Sequence, residues 1–427
     1  MTALIIFTLL MLLMLTGMPV SIALGLTVMT FLFTMTNVPV ESVALKLFTG
    51  IEKFEIMAIP FFILAGNFLT HGGVAKRMVN FATSMVGHWF GGLGLAGVVA
   101  CALFAAVSGS SPATVVAIGS ILLPAMVRAG FPKEFGAGVI ASSGGLGILI
   151  PPSIVMVMYA VATNSSIGAL FIAGVVPGLL LTVFLGGITW YRARKGNFPR
   201  QPKASWTQRL KAFNDSVWGL LLIIVVMGGI YTGIFTPTEA AAMSAVYAFV
   251  IAVFVYKDLS LKDIPRVLLN SASMSAMLLY IITNAVLFSF LLTNENIPQS
   301  LASWMTEQGM GIIVFLIAVN ILLLMAGNFM EPSSIMLIFA PILFPMAIAL
   351  GIHPVHFGII MVVNMEIGMI TPPVGLNLYV ASGITKMGLS ALTVAVLPWL
   401  FTMLAFLMLI TYVPEISLWL PRVMGML

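Results

Sequence analysis

GILIPPS at residues 147–153 and GMITPPVGLN at residues 368–377 decide how this chain folds. Each opens on a glycine, carries a Pro-Pro pair and interrupts a run of apolar residues. Outward from these two stretches the same punctuation repeats. Pro112 recurs as Pro332, Gly130 as Gly351, Gly147 as Gly368, Tyr159 as Tyr379, Gly168 as Gly388 and Pro177 as Pro398. Every separation, including that of the Pro-Pro pairs, is 220 or 221 residues. Apolar composition alone does not place helix breakers in register, so the chain holds two copies of one design. Broken helices at corresponding positions of two halves are a strong sequence pointer to a transporter's binding site.

Composition sets the solvent. Of 427 residues, 61% are hydrophobic and only 7% charged, with a mean hydropathy of +1.15. A soluble domain carries roughly 25% charged residues, so this reads as an all-α polytopic membrane protein. A single cysteine, Cys101, excludes an internal disulfide and offers no thiolate metal site. The net charge of +5 is not a nucleic-acid signal, because seven of the eighteen basic residues fall between Arg192 and Lys211. The positive-inside rule accounts for that cluster. The opening stretch MTALIIFTLLMLLMLTG has no basic n-region and no cleavage site, and reads as a retained helix.

About 20 apolar residues cross a bilayer. Helices are expected near 3–16, 19–36 and 54–71, then a hairpin over 88–127 interrupted by SGSSPAT (108–114). Next come a helix over 134–165 broken at 147–153, and a continuous one over 167–191. A polar linker, 192–211, separates the halves. The second half repeats the plan with helices 216–235, 239–256 and 267–292, and a hairpin over 310–350 interrupted by GNFMEPSS (327–334). A helix over 355–385, broken at 368–377, and a last helix over 390–413 complete it. Lys76, Arg77, Arg128, Lys133, Lys257, Lys262, Arg266, Lys386 and the linker lie on one side, the cytoplasm. The turns TNENIP (293–298) and GIHPVH (351–356) then fall outside, as does the N-terminus. Lys46 and Lys53 also fall outside, among Glu41, Glu52 and Glu55, in a segment that reads as an amphipathic surface helix. Five crossings separate the hairpins, so the second copy is inverted relative to the first. The alternative, in which each hairpin spans twice, keeps the same parity.

Interruptions at membrane depth leave main-chain groups that protein, water or ligand must satisfy. Here each is dressed with small polar residues. The first tip holds Ser108, Gly109, Ser110, Ser111 and Thr114, and its partner break Ser142, Ser143, Gly144, Gly145 and Ser153. The second tip holds Gly327, Asn328, Glu331, Ser333 and Ser334, and its partner break Asn364, Thr371, Gly375 and Asn377. Exposed carbonyls and hydroxyls without clustered carboxylates suit a hard, weakly charged cation such as Na⁺ and suit transition metals poorly. Any single Gly or Ser is better explained by close helix packing. Four clusters matched across a repeat are not.

An intramembrane carboxylate is a functional hypothesis by default. Glu331 sits beside Pro332, and its repeat counterpart is Ser111, so a carboxylate role there belongs to one half. Glu239, in TPTEAAA (236–242), is either a functional carboxylate or a helix cap. Glu366, just before the second break, is equally open. His353 and His356 can share a face, but an interfacial loop explains them better than a metal site. No Lys or Arg lies in any interruption, so an anionic substrate there would need bound cations and helix N-termini. No H-E-x-x-H or G-x-S-x-G motif occurs, and the chain is not expected to be an enzyme.

The motifs SGSSPATVVAIGSILLPAM (108–126), GILIPPSIVMVMYAVATNSSIGALFIAGVVPG (147–178), TPTEAAA, MEPSSIMLIFAPILFPMA (330–347) and GMITPPVGLNLYVASGI (368–384) carry a resemblance. Over nearly its whole length the chain resembles the large membrane subunit of tripartite ATP-independent periplasmic (TRAP) transporters. That resemblance implies an inverted-repeat, elevator-type importer of organic acids in the bacterial inner membrane, coupled to two or more Na⁺ and needing no other cofactor. It implies scaffold helices over 1–87 and 212–309, and a transport domain made of 88–166 and 310–386. A connecting helix over 167–191, the linker and a final helix with its tail over 387–427 complete the plan. A periplasmic substrate-binding protein and a small four-helix membrane subunit on a separate chain are the implied partners. Carried over, Na⁺ ligands fall at Ser108, Ser110, Ser111, Gly145, Gly327, Glu331, Ser333, Thr371 and Gly375. Substrate falls near Ser110, Ser153, Glu331 and Asn377. Sialic acid, C4-dicarboxylates and other carboxylates are all compatible with these motifs. A self-sufficient Na⁺/dicarboxylate symporter of related architecture is the alternative, and an ion channel the contrasting class.

Overall fold

With no water to hydrogen-bond the main chain inside a bilayer, an apolar chain of this kind satisfies its amides within helices. The computed structural model describes residues 2–36 and 38–427, and among these every regular element is helical. Among the described residues eight helices are long and apolar enough to cross a membrane, and a ninth span arises if Lys133–Leu149 and Ile154–Thr163, bent by 41°, count as one.

The two copies fold alike. Gly92–Ser108 and Ser111–Arg128 form the first hairpin, Ile312–Gly327 and Pro332–Ala349 the second. The broken helices are Lys133–Ser143 with Leu146–Leu149 and Ile154–Thr163, and Pro354–Gly368 with Leu376–Thr385; the long helices Ile167–Lys195 and Leu389–Tyr412 follow them. The halves interlock by exchange. Ser111–Arg128 packs on Leu376–Thr385 of the other copy, while Pro332–Ala349 packs on Ile154–Thr163. Around this centre, Ala58–His71 packs on Pro237–Val250, and Ile264–Asn294 on Val20–Met35 and Ala58–His71.

Several sequence boundaries need correction. The linker is shorter than 192–211, because Ile167–Lys195 carries its helix through Arg192 and Arg194. The next helix begins at Trp206, where Ser205 and Gln208 form a capping box. Basic and polar residues continue a helix beyond the membrane, so composition overstated the coil. The first tip is narrower than 108–114, with only Gly109 and Ser110 outside helix, and the second narrower than 327–334. In the first break the helix stops at Ser143, turns at Gly144-Gly145 and leaves 150–153 outside helix; the second runs from Met369 to Gly375. The amphipathic segments Val74–Val86, Ile297–Glu307 and Glu415–Val423 are helices that a search for apolar runs passed over. The surface helix expected around Lys46 is present as Val40–Thr49.

Candidate functional site

The helix ends that flank both hairpin turns are buried in protein, although Phe329 in the second turn is exposed. Ser108, Ser111, Ser333 and Ser334 are each less than a tenth exposed. At the first tip, Gly109 adopts φ +59°, which an L side chain resists, and lets Ser110 turn into the next helix. Ser108 Oγ and Thr114 Oγ1 lie 2.8 Å apart, and Thr114 Oγ1 donates to the Ser110 carbonyl at 2.9 Å. Ser111 Oγ donates to Asn377 Oδ1 at 3.1 Å, while Asn377 Nδ2 donates to the Ala141 carbonyl at 3.1 Å. Asn377, fully buried, therefore ties the first tip to both broken helices.

The second tip is held differently. Ser334 Oγ donates to Glu331 Oε1 at 3.2 Å, and the Val374 amide donates to the Asn328 carbonyl at 2.9 Å. Gly327 and Gly368 meet backbone to backbone: a Cβ on Gly327 would lie 2.9 Å from the Gly368 Cα. In the first half a Cβ on Gly147 would come 2.6 Å from the Ser110 carbonyl oxygen. Each broken helix thus needs a glycine directly beneath a hairpin tip.

The tips converge on one cavity of about 400 Å³. Gly109, Ser110 and Ser111 form one side, Glu331 and Ser333 another, and Asn67, Thr70, Met274 and Met277 close it. Of the residues singled out in the sequence, Ser110, Ser111, Glu331 and Ser333 line this space; Ser108, Ser153, Thr371 and Asn377 do not. Ser153 is buried and caps the helix after the first break, its Oγ donating to the Ile148 carbonyl at 2.6 Å. Thr371 Oγ1 donates to the Ile367 carbonyl at 2.7 Å. Gly375 sits at φ +48°, with its would-be Cβ 3.0 Å from the Thr371 carbonyl oxygen.

Glu239 lies elsewhere. Its carboxylate accepts from the Thr236 amide at 2.8 Å and hydroxyl at 2.9 Å in a capping box at the protein surface. His353 Nδ1 accepts from the Val355 amide, and His356 Nδ1 lies 2.7 Å from Ser417 Oγ, so each imidazole has its own partner. A polar residue in this region escaped notice in the sequence. Asn67, in the apolar stretch AIPFFILAGNFLTH, bonds Ser271 at 2.8 Å on the cavity's far wall. A lone amide in an apolar helix was the signal for it. Glu366, fully buried, packs on Gly145, where a Cβ would come 2.4 Å from its Cγ.

Oxygen is the common donor here. Ser142 Oγ, Ser143 Oγ, Asn328 Oδ1, Asn364 Oδ1 and both Glu366 oxygens are buried without a hydrogen-bond partner. Buried polar groups normally find one, so unpaired hydroxyl, amide and carboxylate oxygens around the breaks fit a hard monovalent cation. Among the described residues no three His, Cys, Asp or Glu side chains gather to hold a metal ion.

Comparison with known proteins places this geometry. Residues 7–416 match the family described as tripartite ATP-independent periplasmic transporter, DctM component. The chain is 74% identical to the C4-dicarboxylate TRAP transporter large permease protein DctM of Rhodobacter capsulatus, covering all of both chains. It is 57% identical to the protein of the same description from Pseudomonas aeruginosa, over 91% of each. The crystal structure of the Alcanivorax borkumensis YdaH transporter superposes with a TM-score of 0.63 at 16% identity, over 92% of this chain and 90% of that one. At that identity the likeness speaks for the fold alone.

Proposed function

The chain belongs to the DctM component family of tripartite ATP-independent periplasmic transporters, as a multi-pass large permease, and on that premise we propose that it imports C4-dicarboxylates coupled to Na⁺. The substrate class follows the two similar permeases, both described as C4-dicarboxylate transporters. A periplasmic binding protein delivers the dicarboxylate, and a small membrane subunit completes the complex in the inner membrane.

The observation that carries this reading is the convergence of both hairpin tips on one cavity. That cavity holds Glu331 and no Lys or Arg. A dianion entering it meets no fixed positive side chain, so its charge is balanced by bound cations and by the N-termini of Ser111–Arg128 and Pro332–Ala349. Cation coupling is then a physical requirement of substrate binding. The Na⁺ ligands are drawn from Ser108, Ser110, Ser111 and Gly145 in the first half. Gly327, Glu331, Ser333, Thr371 and Gly375 supply them in the second. Ser110 and Glu331 reach the substrate space directly. Ser153 and Asn377 position the segments behind it.

The exchanged packing of the hairpins and broken helices makes one body of the two copies. We assign that body the moving role in an elevator mechanism, sliding against Ala58–His71, Pro237–Val250 and Ile264–Asn294. The two copies face opposite ways in the bilayer, and the N-terminus lies outside.

The test is uptake of labelled succinate into proteoliposomes holding the two-subunit complex, with its binding protein outside. Uptake should require a Na⁺ gradient and the binding protein, and sialic acid should not compete. Ser110→Ala should lower the Na⁺-dependent rate while the protein stays folded. Uptake without the binding protein would favour a self-sufficient symporter. Uptake independent of Na⁺ would overturn the coupling.

A further inference from the structure

Lys46 and Lys53, like Arg422 of the C-terminal helix, run against the orientation bias of this chain, because its other basic residues mark the opposite side as cytoplasmic. The structure puts both lysines on one cavity of about 280 Å³, separate from the tip cavity. Its frame wall is Val40–Thr49 and Ile264–Asn294, and its far wall comes from Val161, Asn164, Leu337 and Pro341. It therefore lies where the frame meets the interlocked centre.

The charge of this cavity is the reverse of the other. No Asp or Glu lines it. The ion pairs among the described residues are Arg77–Asp258 and Arg422–Glu415, so neither lysine is neutralised by a carboxylate, despite Glu41, Glu52 and Glu55 nearby in sequence. Lys53 Nζ donates to the Val161 carbonyl at 2.9 Å and to Asn164 Oδ1 at 2.7 Å, across the C-terminal end of Ile154–Thr163. An ammonium has three donors, so one N–H of Lys53 is unspent. Lys46 Nζ lies 5.5 Å from the centre of the Phe290 ring, a contact that uses none of its hydrogen bonds. Ser289 and Thr293 add hydroxyls to the same wall.

We infer that this cavity is an anion-receiving site on the outer side of the permease. Lys46 and the free N–H of Lys53 take the two carboxylates of an arriving dicarboxylate, and Ser289 and Thr293 supply further donors. The inference rests on the dicarboxylate reading above and adds the cationic step that the tip cavity lacks. A dianion leaving the binding protein first meets fixed positive charge here, then passes to a cavity where mobile cations neutralise it. Lys53 also couples the two places, since it holds the end of the helix that leads back to the first break.

The experiment is protection of the two lysines from an amine-acetylating reagent, read by mass spectrometry on the purified two-subunit complex in phosphatidylcholine vesicles. Succinate should slow modification of Lys46 by about fivefold or more, whereas butane-1,4-diol, of similar shape but uncharged, should not. Lys46→Met should raise the KM for succinate uptake severalfold with the maximal rate nearly unchanged, and Lys46→Arg should restore it. Absence of protection by succinate overturns the proposal even if Lys53→Met proves too unstable to study. So does a Lys46→Met variant with normal KM. A third overturning result is protection by phosphatidylglycerol with none from succinate, which would assign the cations to lipid headgroups. If the unaltered complex imports no succinate at all, the dicarboxylate reading fails instead, and succinate protection of Lys46 would still be scored independently.

Discussion

The two hairpin tips share a skeleton and differ in chemistry. The first is braced by hydroxyls: Ser108 against Thr114, Thr114 on the Ser110 carbonyl, and Ser111 on Asn377. Two residues suffice to turn the chain. The second takes four, 328–331, and is held by a main-chain bond from Val374 and by Glu331 gripping Ser334. What duplication preserved is the backbone problem, a helix broken beneath a tip. What it left free is the side chain that answers it, and only the second half answers with a carboxylate.

The shared skeleton gives the largest expected effect. Gly147 lies beneath Ser110 and Gly368 beneath Gly327, each with backbone atoms within 3 Å of a would-be Cβ. Overpacking a filled site costs roughly 1–3 kcal/mol, and more where the obstructing atom is main chain and cannot move. Gly147→Val and Gly368→Val should therefore each abolish succinate uptake and sharply lower the melting midpoint in detergent. Tolerance of either one alone would mean that the two breaks are not equivalent supports.

The chemical difference gives the next. Glu331→Gln keeps the shape and the bond from Ser334 but removes the charge that faces the cavity. Na⁺-dependent uptake should fall about 10- to 100-fold, equivalent to roughly 1.4–2.8 kcal/mol. Ser111→Ala, at the corresponding position of the first tip, deletes one neutral hydroxyl and should cost less than about tenfold, with part of that loss structural because Asn377 is left short of a partner. Equal losses from both variants would erase the asymmetry; a larger loss from Ser111→Ala would reverse it.

Much of this is legible in the sequence, and for a physical reason. Helix breakers in apolar sequence are costly, so Pro112, the Pro-Pro pairs and the glycines beside them report where the main chain must turn. They report less well how far each turn extends. The tips are narrower than their polar letters suggest because Ser111 and Pro332 are already helical, Pro being well suited to a first turn. Partners across the fold were not legible at all. Nothing near Asn377 announces Ser111, 266 residues away, and nothing near Glu366 announces Gly145. The first pairing exists because hairpin and broken helix are exchanged between copies, and the second because the two broken helices meet. Amphipathic helices such as Val74–Val86 were missed for a different reason: their apolar faces are too narrow to register as spans.

The smallest expected effect separates a carboxylate by place rather than by type. Glu239 and Glu331 both stand at the start of a helix, and in sequence both lie within two residues of a proline. Glu239, however, spends its carboxylate on the amide and hydroxyl of Thr236 at the surface and does not line the tip cavity. Its work is local: it satisfies an orphan amide and favours the helix end. Glu239→Gln keeps an acceptor in the capping box and should leave both uptake and the melting midpoint close to the parent values. Glu239→Ala removes the acceptor and should lower the midpoint slightly, with uptake within about twofold, since a cap contributes to the helix and not to the substrate. Uptake by Glu239→Ala as low as that of Glu331→Gln would show that the carboxylate acts through the packing of Pro237–Val250 on Ala58–His71. The functional asymmetry between the halves would then extend from the tips into the frame.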